Sequence, residues 1–163
     1  MSTTGPTHRG FCLIGIDHAP FASLFELSDE QLRAQNTVRR FATASTGYPC
    51  RVSLEDAREG DELLLLPYPH HPVDAPYRAS GPIYVRRGAE QRTLAPGEVP
   101  PYVTRRLISV RAYDAGHMMV AASVCDGPAV ADEIVARFFD PDVAYVHLHN
   151  AKQGCFSCLV VRA

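Results

Sequence analysis

The chain has 163 residues and a formal net charge of −2, with 46% hydrophobic and 21% charged residues and no Trp, a globular balance that suits one domain able to bury its own core. A pI of about 6.4 lacks the basic excess expected of a nucleic-acid binder, and no stretch approaches the roughly 18 apolar residues of a membrane span.

Residues 1–10 are polar, without the apolar core of a signal peptide, and read as a disordered tail. Phe11 to Ile16 reads as a short strand. Phe21, Leu24 and Phe25 have helical spacing. Ser28 with Gln31 three residues on forms a capping box, which predicts a short helix from Asp29 to about Gln35. Thr37 to Ala44 reads as a strand. Gly47-Tyr48-Pro49-Cys50 is turn-like, and Glu59-Gly60-Asp61 is a turn that launches the buried strand Glu62 to Leu66. Pro67, Pro69, Pro72, Pro76 and Pro82 then predict a long irregular loop over 67–82. Such a loop in a compact domain is often functional.

Ile83 to Arg87 resumes a strand. Leu107 to Tyr113 and His117 to Val124 form a hairpin around Asp114-Ala115-Gly116. Pro128 opens the main helix, with Val130, Ile134, Val135 and Phe138 as its apolar stripe, and Asp140-Pro141 stops it. Residues 143–149 and 155–161 are the last strands. Clustered strands with two helical places predict an α+β fold. Its sheet is mostly antiparallel, with one main C-terminal helix and a short N-terminal helical segment. The expected organisation is a tail over 1–10 and a single domain over 11–163.

The C-terminal hairpin carries the densest chemistry. In its simplest register His149 faces Cys155, His147 faces Ser157 and Tyr145 faces Leu159, so Tyr145, His147, His149, Cys155 and Ser157 share one face. Val146, Leu148, Phe156, Cys158 and Val160 share the other. Cys155 and Cys158 thus point apart, which argues against a metal or redox Cys-x-x-Cys. The polar face has three readings. His147 and His149 could bind a metal, completed by His70 or His71. His149 and Cys155 could pair as base and nucleophile. Or the face could wall a ligand cleft with Asn150 and Lys152 at its rim. The bland alternative is an edge hairpin whose polar face meets solvent.

Five cysteines in a chain that needs no staple point to reduced thiols in a cytoplasm. Lys152 is the only lysine, so other cationic anchors are guanidinium forks, suited to carboxylate or phosphate. Arg51, after a turn, is such an anchor or a partner of Glu55 or Asp56. Arg78 is another, or pins its own loop by backbone hydrogen bonds. No nucleophile elbow, phosphate-binding loop, dinucleotide fingerprint or His-Glu-x-x-His helix is present.

Three blocks resemble a bacterial family, the domain of unknown function 1203. They are Pro49-Cys50-Arg51-Val52-Ser53-Leu54-Glu55-Asp56-Ala57, Tyr77-Arg78-Ala79-Ser80-Gly81-Pro82-Ile83-Tyr84-Val85-Arg86 and Tyr145-Val146-His147-Leu148-His149-Asn150-Ala151-Lys152. The resemblance runs from about Gly15 to the C-terminus. It implies a single-domain bacterial protein and brings no activity or cofactor with it.

Together the blocks supply Arg51, Tyr77, Arg78, His147, His149, Asn150 and Lys152. The expectation is a site for a small anionic metabolite, with Arg51 and Arg78 as clamps, His149 as acid/base and Cys155 as nucleophile. The alternatives are an interaction module built on 67–82 and an edge strand, or a metal-dependent hydrolase using His147 and His149.

Overall fold

The computed structural model describes residues 10–163. The tail expected over 1–10 lies, Gly10 apart, outside the described residues. The α-helices and strands follow in the order β1 (Phe11–Ile14), α1 (Asp29–Arg33), β2 (Val38–Phe41), β3 (Pro49–Cys50), β4 (Glu55–Asp56), β5 (Glu62–His71), β6 (Ala79–Arg86), α2 (Pro101–Thr104), β7 (Leu107–Tyr113), β8 (Met119–Asp126), α3 (Val130–Phe138), β9 (Tyr145–Asn150) and β10 (Phe156–Arg162). The fold is α+β, as the clustering predicts, but the strands divide into two five-stranded sheets.

The first sheet runs β1-β10-β9-β7-β8 and is antiparallel throughout. One face carries Leu13, Val110, Val146, Leu148, Cys158 and Val160, which pack with Val130 and Ile134 of α3. The apolar stripe of α3 is what closes this core.

The second sheet runs β2-β5-β6-β3-β4. Leu64, Leu66, Ile83 and Val85 pack with Phe21, Phe25 and Leu32. The helical spacing around Phe21 is realised as a 3-10 segment, Ala19–Glu26. Ser28 caps α1 as expected: the Gln31 amide donates to Ser28 Oγ at 3.1 Å and the Ser28 amide donates to Gln31 Oε1 at 2.9 Å.

The Pro-rich segment corrects the expectation of a loop over 67–82. β5 runs on through Pro67 and Pro69 to His71, and β6 begins at Ala79. Pro67 stands directly opposite Pro82. Opposed antiparallel residues exchange either both backbone bonds or none, and two prolines can donate neither. Their nitrogens therefore turn away from each other. On the far side of β5, β2 ends opposite Leu65, so no ladder bond is lost at Pro67. Only residues 72–78 remain as a connection.

The C-terminal hairpin is corrected too. Neither of its strands is an edge: β9 lies between β10 and β7, and β10 between β9 and β1. Phe156, not Cys155, stands opposite His149, and Leu159 stands opposite His147. A bulge between Phe156 and Cys158 inserts the extra residue. It keeps Cys158 and Val160 in the α3 core while turning Phe156 to the opposite face, among the histidines.

Candidate functional site

Two neighbouring regions lie between the sheets. The first is a cleft of about 410 Å³ lined by Arg51, Tyr84, Arg106, Asn150, Gln153 and Cys155, with Pro49, Leu65, Pro82 and Ile83 among its apolar walls. Arg51 sits in the tight turn joining β3 to β4, which Leu54 closes by donating its amide to Cys50 O. The end of β1 braces that turn, since the Ile16 amide donates to Arg51 O at 3.0 Å. Glycine at position 15 permits the approach: a Cβ there would lie 2.0 Å from Val52 O.

The Arg51 side chain is 2% exposed. Its Nε donates to Phe156 O at 2.8 Å, Nη1 to Pro49 O at 2.8 Å and Nη2 to Cys155 Sγ at 3.0 Å. It therefore ties the β3–β4 turn to β10, and it meets no carboxylate among the described residues. The expected pairing with Glu55 or Asp56 is not made. Asp56 instead takes Arg106, with Nη2 to Oδ1 at 2.5 Å and Nη1 to Oδ2 at 3.2 Å. Arg106 is thus neutralised, and Arg51 is the cation of the cleft without a countercharge. Asn150, 3% exposed, donates Nδ2 to Cys155 Sγ at 3.8 Å, and its Oδ1 has no partner.

The second region is closed at its centre, where His71, His147 and His149 are buried, and half-buried at its margin, where His70, His117 and Tyr145 lie. His70 and His71 at the end of β5 meet His147 and His149 of β9, and His117 joins from the β7–β8 turn. Ring centroids are 4.9 Å apart for His71 and His147, and 5.3 Å for His70 and His149. Phe156 stacks on His70 at 5.2 Å, and Tyr113 stacks on Tyr145 at 5.2 Å. Tyr145 Oη lies 2.6 Å from His71 Nε2 and 2.8 Å from His117 Nδ1. The bonding order follows from donors and acceptors. His71 Nδ1 contacts Tyr77 O at 2.8 Å, so it carries the proton and Nε2 is an acceptor. Tyr145 therefore donates to His71 Nε2 and accepts from His117 Nδ1–H. His117 reaches Tyr145 from a backbone at φ +64°, a conformation that histidine adopts more readily than most residues.

Burial opposes charge on the innermost imidazoles of this region. It pushes His147 down to about 3, reinforced by His71, His149, His70 and Arg111. It pushes His149 down to about 4, against the opposing bond to Gly154 O and with help from Arg111, His70 and Arg51. Burial also lowers His70 and raises Tyr145 to about 12. Nδ1 of His70, Nδ1 of His147 and Nε2 of His149 are buried without partners.

The predicted residues thus separate. Arg51, Asn150 and Cys155 share the cleft. His147 and His149 lie in the closed region, and their face does not meet solvent: they are 4% and 2% exposed. His149 Nδ1 bonds to Gly154 O at 3.1 Å, while Cys155 is held by Arg51 and Asn150, so the expected direct opposition of His149 and Cys155 is not formed. Arg78 is exposed and reaches back to Val73 O at 3.4 Å, the loop-pinning alternative. Tyr77 packs its ring on Tyr113 at 6.0 Å, and Lys152 lines a shallow depression beside Arg105 and Arg106. No three His, Cys, Asp or Glu side chains among the described residues are grouped to hold a metal ion, so His147 and His149 have no third protein ligand in place.

Sequence reasoning missed Tyr84, Arg106 and Gln153 in the cleft, and Arg111 and His117 in the closed region. The sequence reads His117 as the first residue of the return strand, but β8 begins at Met119 and His117 belongs to the turn. Arg106 followed from no local pattern. No helix among the described residues is long and apolar enough to cross a membrane.

No curated protein and no solved structure matches the chain. A family model described as a protein of unknown function, DUF1203, matches residues 47–162. The match begins at Gly47 rather than near Gly15, and it contains Arg51, the histidines of the closed region, Asn150 and Cys155. Both regions between the sheets are therefore built from the matched stretch, and the chain belongs to the DUF1203 family.

Proposed function

We propose that this chain binds a small organic anion, bearing a carboxylate or phosphate, in the cleft above Arg51. The observation that carries the reading is a buried guanidinium with no carboxylate partner. A guanidinium has five N–H donors, and the three contacts of Arg51 leave two free to grip an anion in a forked geometry. The apolar walls supply contact area for an organic body, and Asn150 Oδ1 is an acceptor awaiting a donor. His149 does not line this cleft and its Nδ1 is bound to Gly154 O, so it takes no part in this reading. The five free thiols support a bacterial cytoplasmic setting for such a protein.

The interaction-module reading needs an exposed apolar patch or a free strand edge near residues 67–82. The open side of β5 begins at Leu66, where Pro67 turns its nitrogen to that edge without an N–H, a device that discourages strand addition. This weighs against the strand-addition form of that reading.

The test is a panel of small carboxylates and phosphates, followed by thermal shift and calorimetry. Ligands that bind should lose about tenfold or more in affinity in Asn150→Asp, where a new charge opposes the anion, and in Arg51→Lys, which removes the fork. Arg78→Ala should leave affinity unchanged. Binding that survives Asn150→Asp but is lost in Arg78→Ala would overturn the assignment.

A further inference from the structure

We infer that Cys155 is an oxidant-reactive thiol, a site at which a hydroperoxide forms a cysteine sulfenic acid. Cys155 borders the cleft and is half-buried. It accepts one N–H from the Arg51 guanidinium at 3.0 Å and one from the Asn150 amide at 3.8 Å. A guanidinium and an amide aimed at a half-buried sulfur make the electropositive, partly exposed surroundings in which reactive cysteines sit. The second, independent feature is Asn150 itself, 3% exposed, with an Oδ1 that no described residue satisfies. Beside the sulfur there is thus a spare acceptor and spare guanidinium N–H donors, the groups that a small peroxide, itself donor and acceptor, can use.

The other cysteines are placed differently. Cys158 is fully buried, and burial pushes its thiol up to about 12. Cys50 is buried and its sulfur takes the Arg86 amide at 3.3 Å. Burial and the carboxylates of Glu133 and Asp126 push Cys125 up. Cys12 is half-buried on β1, and no guanidinium contact to it is seen among the described residues.

The step balances without a further reactant. The sulfur attacks one peroxide oxygen and forms an S–O bond as the O–O bond breaks. The electron pair leaves with the second oxygen, which takes up a proton and departs as water or an alcohol. Sulfur is oxidised by two electrons and the peroxide is reduced by two: Cys–SH plus ROOH gives Cys–SOH plus ROH. The sulfenic oxygen then lies where the free Arg51 N–H can hold it. Cys158 points into the opposite core, so the sulfenic acid is expected to persist until a small thiol reduces it.

The experiment treats the full chain with hydrogen peroxide, traps sulfenic acid with a dimedone-type reagent and reads each cysteine by peptide mass spectrometry. Cys12 and Cys125, the other half-buried thiols, are internal controls in the same folded molecule. The expected result is labelling of Cys155 at least about tenfold faster than either control, a blank in Cys155→Ser, and a several-fold loss in Asn150→Ala. Labelling of Cys155 no faster than Cys12 and Cys125 overturns the inference, as does an unchanged rate in a folded Arg51→Lys. Hydrogen peroxide carries no charge, so fast oxidation in a protein that binds none of the anions would sink the anion-binding reading alone.

Discussion

The cleft and the histidine region lie side by side between the same two sheets, yet they treat charge in opposite ways. In the cleft, Arg51 keeps a full positive charge at 2% exposure, held by two backbone carbonyls and a sulfur. In the histidine region, five imidazoles gather without an ion pair among the described residues, and burial holds His147 and His149 neutral. The difference is one of intrinsic basicity. A guanidinium cannot shed its proton in a protein, so its burial must be compensated by acceptors. An imidazole titrates near neutrality and escapes the cost by deprotonating. One region is therefore built to receive a negative charge. The other is built to keep His147 and His149 buried and uncharged.

Acid breaks that comparison with the largest expected effect. Burial holds His147 and His149 down to about 3 and about 4 in the folded chain, against 6.5 for an imidazole in water. As pH falls below 6.5 the unfolded chain takes up protons that the folded chain refuses, so stability drops steadily toward pH 4. At about 1.4 kcal/mol per unit for each group, the loss by then is on the order of several kcal/mol. Denaturant melts across this range check it, and His147→Phe should flatten the acid limb. A stability flat from pH 7 to about 4 would show that the imidazoles are not held neutral by burial.

Gly15→Ala tests the frame of the cleft. The new Cβ meets Val52 O at 2.0 Å, so the Arg51 turn must move. A loss of about 2–4 kcal/mol is expected, with weakened anion binding among the molecules that still fold. Equal affinity in the variant would show that the turn does not set the position of Arg51.

Tyr145→Phe sharpens the comparison from the other side. It removes the hydroxyl between His71 and His117 and leaves His71 Nε2 without its donor. The expected cost is about 1–3 kcal/mol, with no effect on the cleft. The His71 and His117 ring resonances should shift by NMR while the Arg51 side-chain signals stay put. Shifts at Arg51 would mean that the two regions are coupled.

Much of the local structure was legible because it depends on nearest neighbours. The Ser28–Gln31 capping box, the bounds of β7 and the apolar stripe of α3 follow from spacing alone. The Pro-rich segment was misread for the opposite reason. Whether a proline disrupts a strand depends on where its missing N–H would have pointed, and the open side of β5 beyond Leu65 decides that. The hairpin register was misread because a bulge at Ser157 leaves no local mark in an otherwise alternating strand.

The sequence by itself determined the inventory and its grouping by face: Tyr145, His147 and His149 on one side of β9, with Val146 and Leu148 on the other. Strand periodicity dictates that wherever the strand is placed. Only the tertiary structure decided that this polar face is covered by the end of β5, that Phe156 joins it, that Arg106 takes Asp56, and that Arg51 meets Cys155. Those pairings link residues more than a hundred positions apart in the case of Arg51 and Phe156. They arise from the packing of one sheet on the other, and no local pattern encodes which distant side chains such packing brings together.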